Sequence, residues 1–428
     1  MDKSDPSPRP RDPKFAAKPA SVFGIRQPDG AFGLVTDVDN PFRVRVENDI
    51  DQPSLIHWHG LTPPWRQDGV PGISGPPIPP GASAEYDFPL RFGGTFWMHS
   101  HQGLQEQLLM AAPLIIRDQR DRPDQQEVVV MLADFSFTPP EQIFEDLRKT
   151  APMAGRSADA APASMSKMGK ADAAAAPDLN DVKYDAFLAN DRTLADPERI
   201  KVEPGGRVLL RIINSSLMSA YHIDLAQLDS ELIAVDGFEV APVPGRSFPI
   251  AVAQRLDIRV SLPGGASAYP VLAVVEGERR QTGIVLVAAT GAISRIPDLA
   301  EASSPPLTLD LESRLRAAQP LAPRKADRVH TLNLTGEMAG YVLFAVPGMT
   351  HCSDGLALDK FDALTALVDW VENGKAPDRI ITSVDPTNKE IPASWSPNRT
   401  RPLCPWPKYA KYAGGDPESA ASFECVGP

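Results

Sequence analysis

The chain has little of what would place it in several large protein classes. No apolar run is long enough for a membrane-crossing helix. Residues 1–20 are polar, charged and proline-rich, without the apolar core a secretory leader needs. Lys and Arg number 43 against 55 Asp and Glu, a formal net charge of −12, so the clustered cation that nucleic acid rewards is missing. Cysteine is scarce: three residues, an odd count, leave one without an intrachain partner. Histidine is scarce as well, at seven residues, and no His-Cys-His tripeptide occurs.

Chain breakers, by contrast, are plentiful. The 45 prolines and 30 glycines suit short strands joined by many turns, and 42% hydrophobic residues suffice for packed cores. A chain of 428 residues is long for one ordinary domain and points to two to four.

The strongest chemical signal lies between Ser54 and Arg117. Leu55-Ile56-His57-Trp58-His59-Gly60 and Gly94-Thr95-Phe96-Trp97-Met98-His99-Ser100-His101 are both β-prone runs that close on His-x-His. Side chains of a strand alternate faces, so the two imidazoles of each pair project the same way. Two such strands side by side bring four imidazoles to one point. One pair alone is what an alternating strand places by chance; two in one β unit point to a metal. Imidazole suits copper, zinc, iron or nickel, and copper(II) outranks the other divalent ions at a given nitrogen site.

The rest of this stretch reads as one small sandwich. Val44 and Val46 alternate with Arg43, Arg45 and Glu47; Glu85 to Leu90 alternates likewise; Leu114-Ile115-Ile116 ends the unit. Pro63 to Gly81 is too rich in breakers for regular structure, and Asp68-Gly69 within it is a good turn dipeptide. Asp118 to Gln126 is a charged connector, and Val128 to Leu132 opens a second β unit. An alanine-rich insert, residues 149–177, carries Met153, Met165 and Met168; thioethers favour copper(I), but a plain flexible loop is the reading this composition favours. Strand patterning resumes from Asp185 to Val287. His222, beside Tyr221 on an alternating run, reads as a packed histidine rather than a ligand. Arg295 to Arg328 reads as a connector with a short helix near Leu311 to Ala318.

His57-Trp58-His59-Gly60 followed by Trp97-Met98-His99-Ser100-His101 resembles the first two copper motifs of the multicopper oxidases. The continuation Gln102-Gly103-Leu104-Gln105-Glu106-Gln107 is most similar to the copper-resistance branch. The resemblance implies copper as cofactor, His57 as a ligand of the type 2 ion, and His59, His99 and His101 as ligands of the type 3 pair. Asp68 falls where the family keeps an acid that orients a ligand and relays protons; its turn reading stands beside that one. The implied architecture is mainly β, with cupredoxin-like Greek-key domains at 21–120 and 121–296, a linker at 297–329 and a remnant strand of a third at 330–342. Implied partners are copper ions and a small phenolic or cuprous substrate, in a periplasmic or secreted setting.

The pattern then breaks. The third domain of an oxidase supplies four more histidines and the type 1 site, and after Val342 the only histidine is His351. Leu343 to Cys352, Phe361 to Glu372, Arg401-Pro402-Leu403-Cys404-Pro405 and Phe423-Glu424-Cys425 are instead similar to the C-terminal part of tannases and feruloyl esterases. That resemblance implies a small mixed α/β segment at 343–428 from an α/β-hydrolase-type family and a Cys404–Cys425 disulfide; within it Phe361, Leu364, Leu367, Val368 and Val371 fall at helical spacing, with Gly374 as the C-terminal stop. It makes His351 an esterase-type base without its nucleophile, since no Gly-Cys-Ser occurs. The expectation is a fusion near residue 342: a copper protein of oxidase descent with half a cluster. The alternatives are an ester hydrolase remnant and a copper-sequestering protein without turnover.

Overall fold

The computed structural model describes residues 20–38, 40–118, 124–150, 179–265, 267–288, 295–322, 346, 356–373, 375–405 and 408–427. The expected methionine insert, the 330–342 strand, the junction, His351 and Cys352 lie outside the described residues. The described residues up to Ala322 form one compact unit and those beyond it a second.

The first β layer contains β1 (Leu34–Asp37), β3 (Ile56–His59), β5 (Gly94–Ser100) and β6 (Ala111–Arg117), ordered β1-β6-β5-β3. A second layer pairs β2 (Pro41–Glu47) with β4 (Ser83–Pro89). Alternation assigns the faces: Trp58, Phe96, Met98, Leu114 and Ile116 join Phe42, Tyr86 and Phe88 in one core. Trp58 is fully buried, with edge-on contacts to Phe42 and Tyr86 at 5.0 Å between ring centroids. Burial of each large apolar side chain here contributes roughly 1.5–3 kcal/mol. That core presses one side of β3 and β5 inward, which leaves their other side to the histidines.

The second β region is a sandwich. One sheet runs β13 (Phe238–Gly245), β12 (Asp229–Val235), β15 (Arg255–Ser261), β10 (Arg207–Asn214), β7 (Gln126–Phe135), β8 (Ala186–Ala189). The other runs β14 (Ser247–Ile250), β11 (Tyr221–Asp224), β16 (Ser267–Val275), β17 (Gln281–Ala288), β9 (Arg199–Val202). Val130, Ile212 and Ile258 from the first and Tyr221, Val271 and Ile284 from the second share one buried cluster. The two β regions meet across Trp97, Ala111, Met131 and Ile213. They also meet across a polar seam. Thr95 donates to Asp257, and Arg211 donates through Nη1 to Thr95 Oγ1 and Asp257 Oδ2, each at 3.0 Å, and through Nε to Glu127 at 2.5 Å.

Four differences from the sequence reading have local causes. Helix α1 (Pro140–Thr150) was not anticipated; Pro140 supplies a fixed φ in its first turn. The connector helix is shorter than expected, α2 (Asp310–Arg314), because Leu315 turns extended and Ala317 bridges to Val240. The Pro63–Gly81 loop holds one 3-10 turn, Trp65–Gln67, and a bridge from Ser54 to Ile78. The C-terminal unit is small and mixed: β18 (Lys360–Phe361), β19 (Ile380–Ser383) and β20 (Thr400–Leu403) form a sheet, and β21 (Tyr409–Tyr412) pairs β22 (Phe423–Val426). Helix α3 (Ala363–Asn373) starts two residues later than expected: Phe361 of β18 pairs with Thr382, and the Asp362 carboxylate then caps the helix by accepting the Thr365 N–H at 2.8 Å. Cys404 and Cys425 form a disulfide, as the esterase resemblance implies. Among the described residues no helix is long and apolar enough to cross a membrane.

Candidate metal centre

Strands β3 and β5 are antiparallel, with His57 opposite His99 and His59 opposite Trp97. His57, His59, Trp97 and His99 therefore share the face turned away from the core, and His101 follows just past the end of β5. The ring centroids of His57 and His101 lie 4.4 Å apart, those of His99 and His101 4.8 Å, and those of His57 and His99 5.5 Å. One nitrogen from each of these three comes within 4.8 Å of the other two, the one such group of three among the described residues.

His59 falls outside that triangle but not outside the centre: its Nδ1 is 3.3 Å from His99 Nε2. Two nitrogen ligands about 2.0–2.1 Å from one ion stand at about this spacing. The sequence placed four imidazoles on one point; the structure places a triangle and a pair that share His99. The cause is Trp97, whose indole stacks on His59 at 4.7 Å and on His99 at 4.2 Å and sets both ring planes.

The loop after β3 holds the remaining rings. His57 Nδ1 donates to the Asp68 main-chain oxygen at 2.6 Å, and because a carbonyl only accepts, the lone pair is left on Nε2. The Asp68 carboxylate is secondary here, with Oδ1 3.3 Å from the same nitrogen. His101 hydrogen-bonds the Gly69 main chain. Gly69 sits at φ +71°, and a Cβ there would lie 2.0 Å from the Ile56 carbonyl oxygen, so this close approach of loop to strand requires glycine. Asp68 is thus both the turn residue and the support of His57.

Burial favours the neutral form of three of the rings. It lowers the His57 pKa from its ordinary value; it brings His59 to about 3, with the Arg255 guanidinium adding to the effect, and His101 to about 4, with the neighbouring imidazoles adding. Neutral imidazole is the metal-binding form. Arg255 is itself buried and donates to the main-chain oxygens of Thr95, Ala253 and Asp236.

Two parts of the centre went unread in the sequence. Glu106 brings Oε1 to 3.0 Å from His99 Nδ1, off the direction of a true hydrogen bond, so the contact is an ion-pair distance to an otherwise unpartnered buried nitrogen. Gln105, buried, accepts from Ser54 Oγ at 2.9 Å and Ser100 Oγ at 2.7 Å, and donates to Gln52 and Pro53. The run Gln102 to Gln107 carried both as a family mark only. His222 donates through Nε2 to the Pro305 carbonyl at 3.0 Å and belongs to no metal-holding group among the described residues.

Two neighbouring strands of one sheet thus bring two His-x-His motifs together. Residues 33–121 and 127–290 match two models of the family described as multicopper oxidase, so this part of the chain is of that family. Residues 333–426 match the family described as tannase and feruloyl esterase. That second match takes in most of 330–342, the stretch the sequence assigned to an oxidase strand. Among named relatives, copper resistance protein A of Pseudomonas syringae pv. tomato is 31% identical over 60% of this chain and 45% of its own length. The chain therefore spans less than half of that relative. A mono(2-hydroxyethyl) terephthalate hydrolase of Piscinibacter sakaiensis is 44% identical over 124 residues, 28% of this chain and 17% of the hydrolase. In fold, the chain is similar to Fet3p, a multicopper oxidase that functions in iron import, with a TM-score of 0.53 at 16% identity, over 69% of this chain and 53% of that one.

Proposed function

We infer that this chain is a copper-binding protein of oxidase descent whose centre holds copper through His57, His59, His99 and His101 without efficient turnover. The observation that carries the reading is the converging imidazole set: three nitrogens within 4.8 Å of one another, and His59 Nδ1 3.3 Å from His99 Nε2. The donors fit copper: burial favours the neutral form of His57, His59 and His101, and the hydrogen bond on His57 Nδ1 leaves its Nε2 lone pair free. Copper, when bound, supplies one-electron redox chemistry and an affinity for oxygen.

The protein's own residues do the rest. Asp68 and Gly69 fix His57 and His101 through the main chain, Trp97 fixes His59 and His99, and the core behind β3 and β5 keeps the face rigid. The sequence carries half of the eight histidines an oxidase cluster uses and no His-Cys-His for a type 1 site, so substrate electrons have no built entry. The C-terminal segment contributes no hydrolysis on this reading, since it brings a histidine base without a nucleophile. The disulfide suits an oxidising, extracytoplasmic setting.

Titration with copper tests the reading. Submicromolar uptake that is lost in the fourfold His→Ala variant, with phenol or cuprous oxidation slower than in an intact oxidase by orders of magnitude, is expected. Equal copper uptake by that variant sinks it.

A further inference from the structure

We propose that Glu106 sets the preference of this centre for copper(II) over copper(I), acting through His99 as a positioning residue. The inference rests on the copper reading above. His99 is the one ring common to the triangle and to the pair with His59, so a charge on its back edge reaches every ion those rings hold. Glu106 Oε1 stands 3.0 Å from His99 Nδ1, and the two side chains are 24% and 7% exposed, which keeps water from screening the contact fully. The contact is electrostatic rather than a hydrogen bond, and it lies on the ring edge opposite Nε2, the atom that faces His59.

The placement is built rather than incidental. Gln105, one residue earlier, is anchored by its four side-chain hydrogen bonds to Gln52, Pro53, Ser54 and Ser100. The 3-10 turn Glu106–Leu108 follows directly and is closed by the Leu109 N–H to the Glu106 carbonyl at 2.9 Å, with Leu109 at φ 66°. Asp68, the other nearby acid, serves His57 and mainly through its main chain, so Glu106 is the fixed charge of this edge. A fixed anion attracts a dication twice as strongly as a monocation at the same distance. It therefore favours the oxidised ion beyond any effect on ring orientation, which both ions share.

Wild type, Glu106→Gln and Glu106→Asp are compared by chelator competition for copper(II) in air and copper(I) under anaerobic conditions, with copper(II) EPR and the metal-free thermal midpoint recorded for each. Glu106→Gln is expected to weaken copper(II) binding about 10–100-fold. Copper(I) binding then falls by only the square root of that factor, about 3–10-fold. Its copper hyperfine splitting shifts, and Glu106→Asp, which keeps the charge, recovers part of the copper(II) affinity. Equal losses for both oxidation states, no loss of copper(II) affinity, or a larger loss in Glu106→Asp than in Glu106→Gln overturns the proposal. Failure of the wild type to take up copper is a different result and removes the copper reading itself.

Discussion

His57 is held by the main chain of Asp68 more closely than by its carboxylate: the ring Nδ1 is 2.6 Å from the Asp68 carbonyl oxygen and 3.3 Å from Oδ1. A support made of backbone survives loss of the side chain but not a change in the loop's path.

Asp68→Ala is accordingly expected to lower copper affinity modestly, by less than about tenfold, below the usual effect of removing a ligand's supporting group. Gly69→Ala forces a Cβ against the Ile56 carbonyl at a left-handed φ, costing about 1–3 kcal/mol and displacing both His57 and His101. Copper affinity and unfolding midpoint of the two variants, measured side by side, check the order. A larger loss in Asp68→Ala makes the carboxylate the support.

The copper-loaded protein is expected to show no intense blue band. Two of its three cysteines are joined in the Cys404–Cys425 disulfide, and no His-Cys-His occurs. A strong visible absorption that vanishes with chelator contradicts this. Copper at a hundredfold excess over its Kd stabilises the fold by about 2.7 kcal/mol, and a chelator returns the midpoint to that of the metal-free form.

Acid destabilises the metal-free protein through the same rings. His59 and His101 titrate near 3 and 4 in the fold, and His57 below its ordinary value, against 6.5 when unfolded. Between these limits the unfolded chain binds more protons, so stability falls as pH drops from about 6.5 and is flat above it as far as these groups go. Thermal midpoints from pH 7.5 to 4 test this, and a His59→Gln, His101→Gln double variant is expected to give the shallower slope.

Arg211 is the most buried cation of the seam between the two β regions among the described residues. Its side chain is 2% exposed, and it serves Glu127, Asp257 and Thr95 at once. Arg211→Met leaves two largely buried carboxylates without it and is expected to cost about 3–5 kcal/mol in urea unfolding. A cost under 1 kcal/mol shows the seam to be wet and loosely coupled.

The disulfide lies within the second unit. A 21-residue separation corresponds to about 3 kcal/mol of loop entropy in the unfolded chain. The Cys404→Ser, Cys425→Ser double variant is expected to lose about that much from the unfolding transition of the C-terminal unit, with copper affinity unchanged. A parallel loss of copper binding refutes the independence of the two.

Much of this protein is readable along the chain because its signals are local. The alternation of Phe42, Val44 and Val46 and of Tyr86 and Phe88 gives strands whose one face is buried, and the His-x-His tripeptides name the chemistry before any folding is considered. Helix α1 has no counterpart among the sequence expectations, and α2 stops short of Ala318 because a bridge from Ala317 to Val240 ends it from outside.

Residue type and a period of two were enough to put four imidazoles on one face of one sheet. How those rings divide was decided by tertiary structure: Trp97 turns His59 and His99 toward each other, the Asp68–Gly69 carbonyls capture His57 and His101, and Glu106 arrives behind His99. Those contacts join positions far apart in the chain or depend on loop path and ring orientation. Spacing alone carries no record of them.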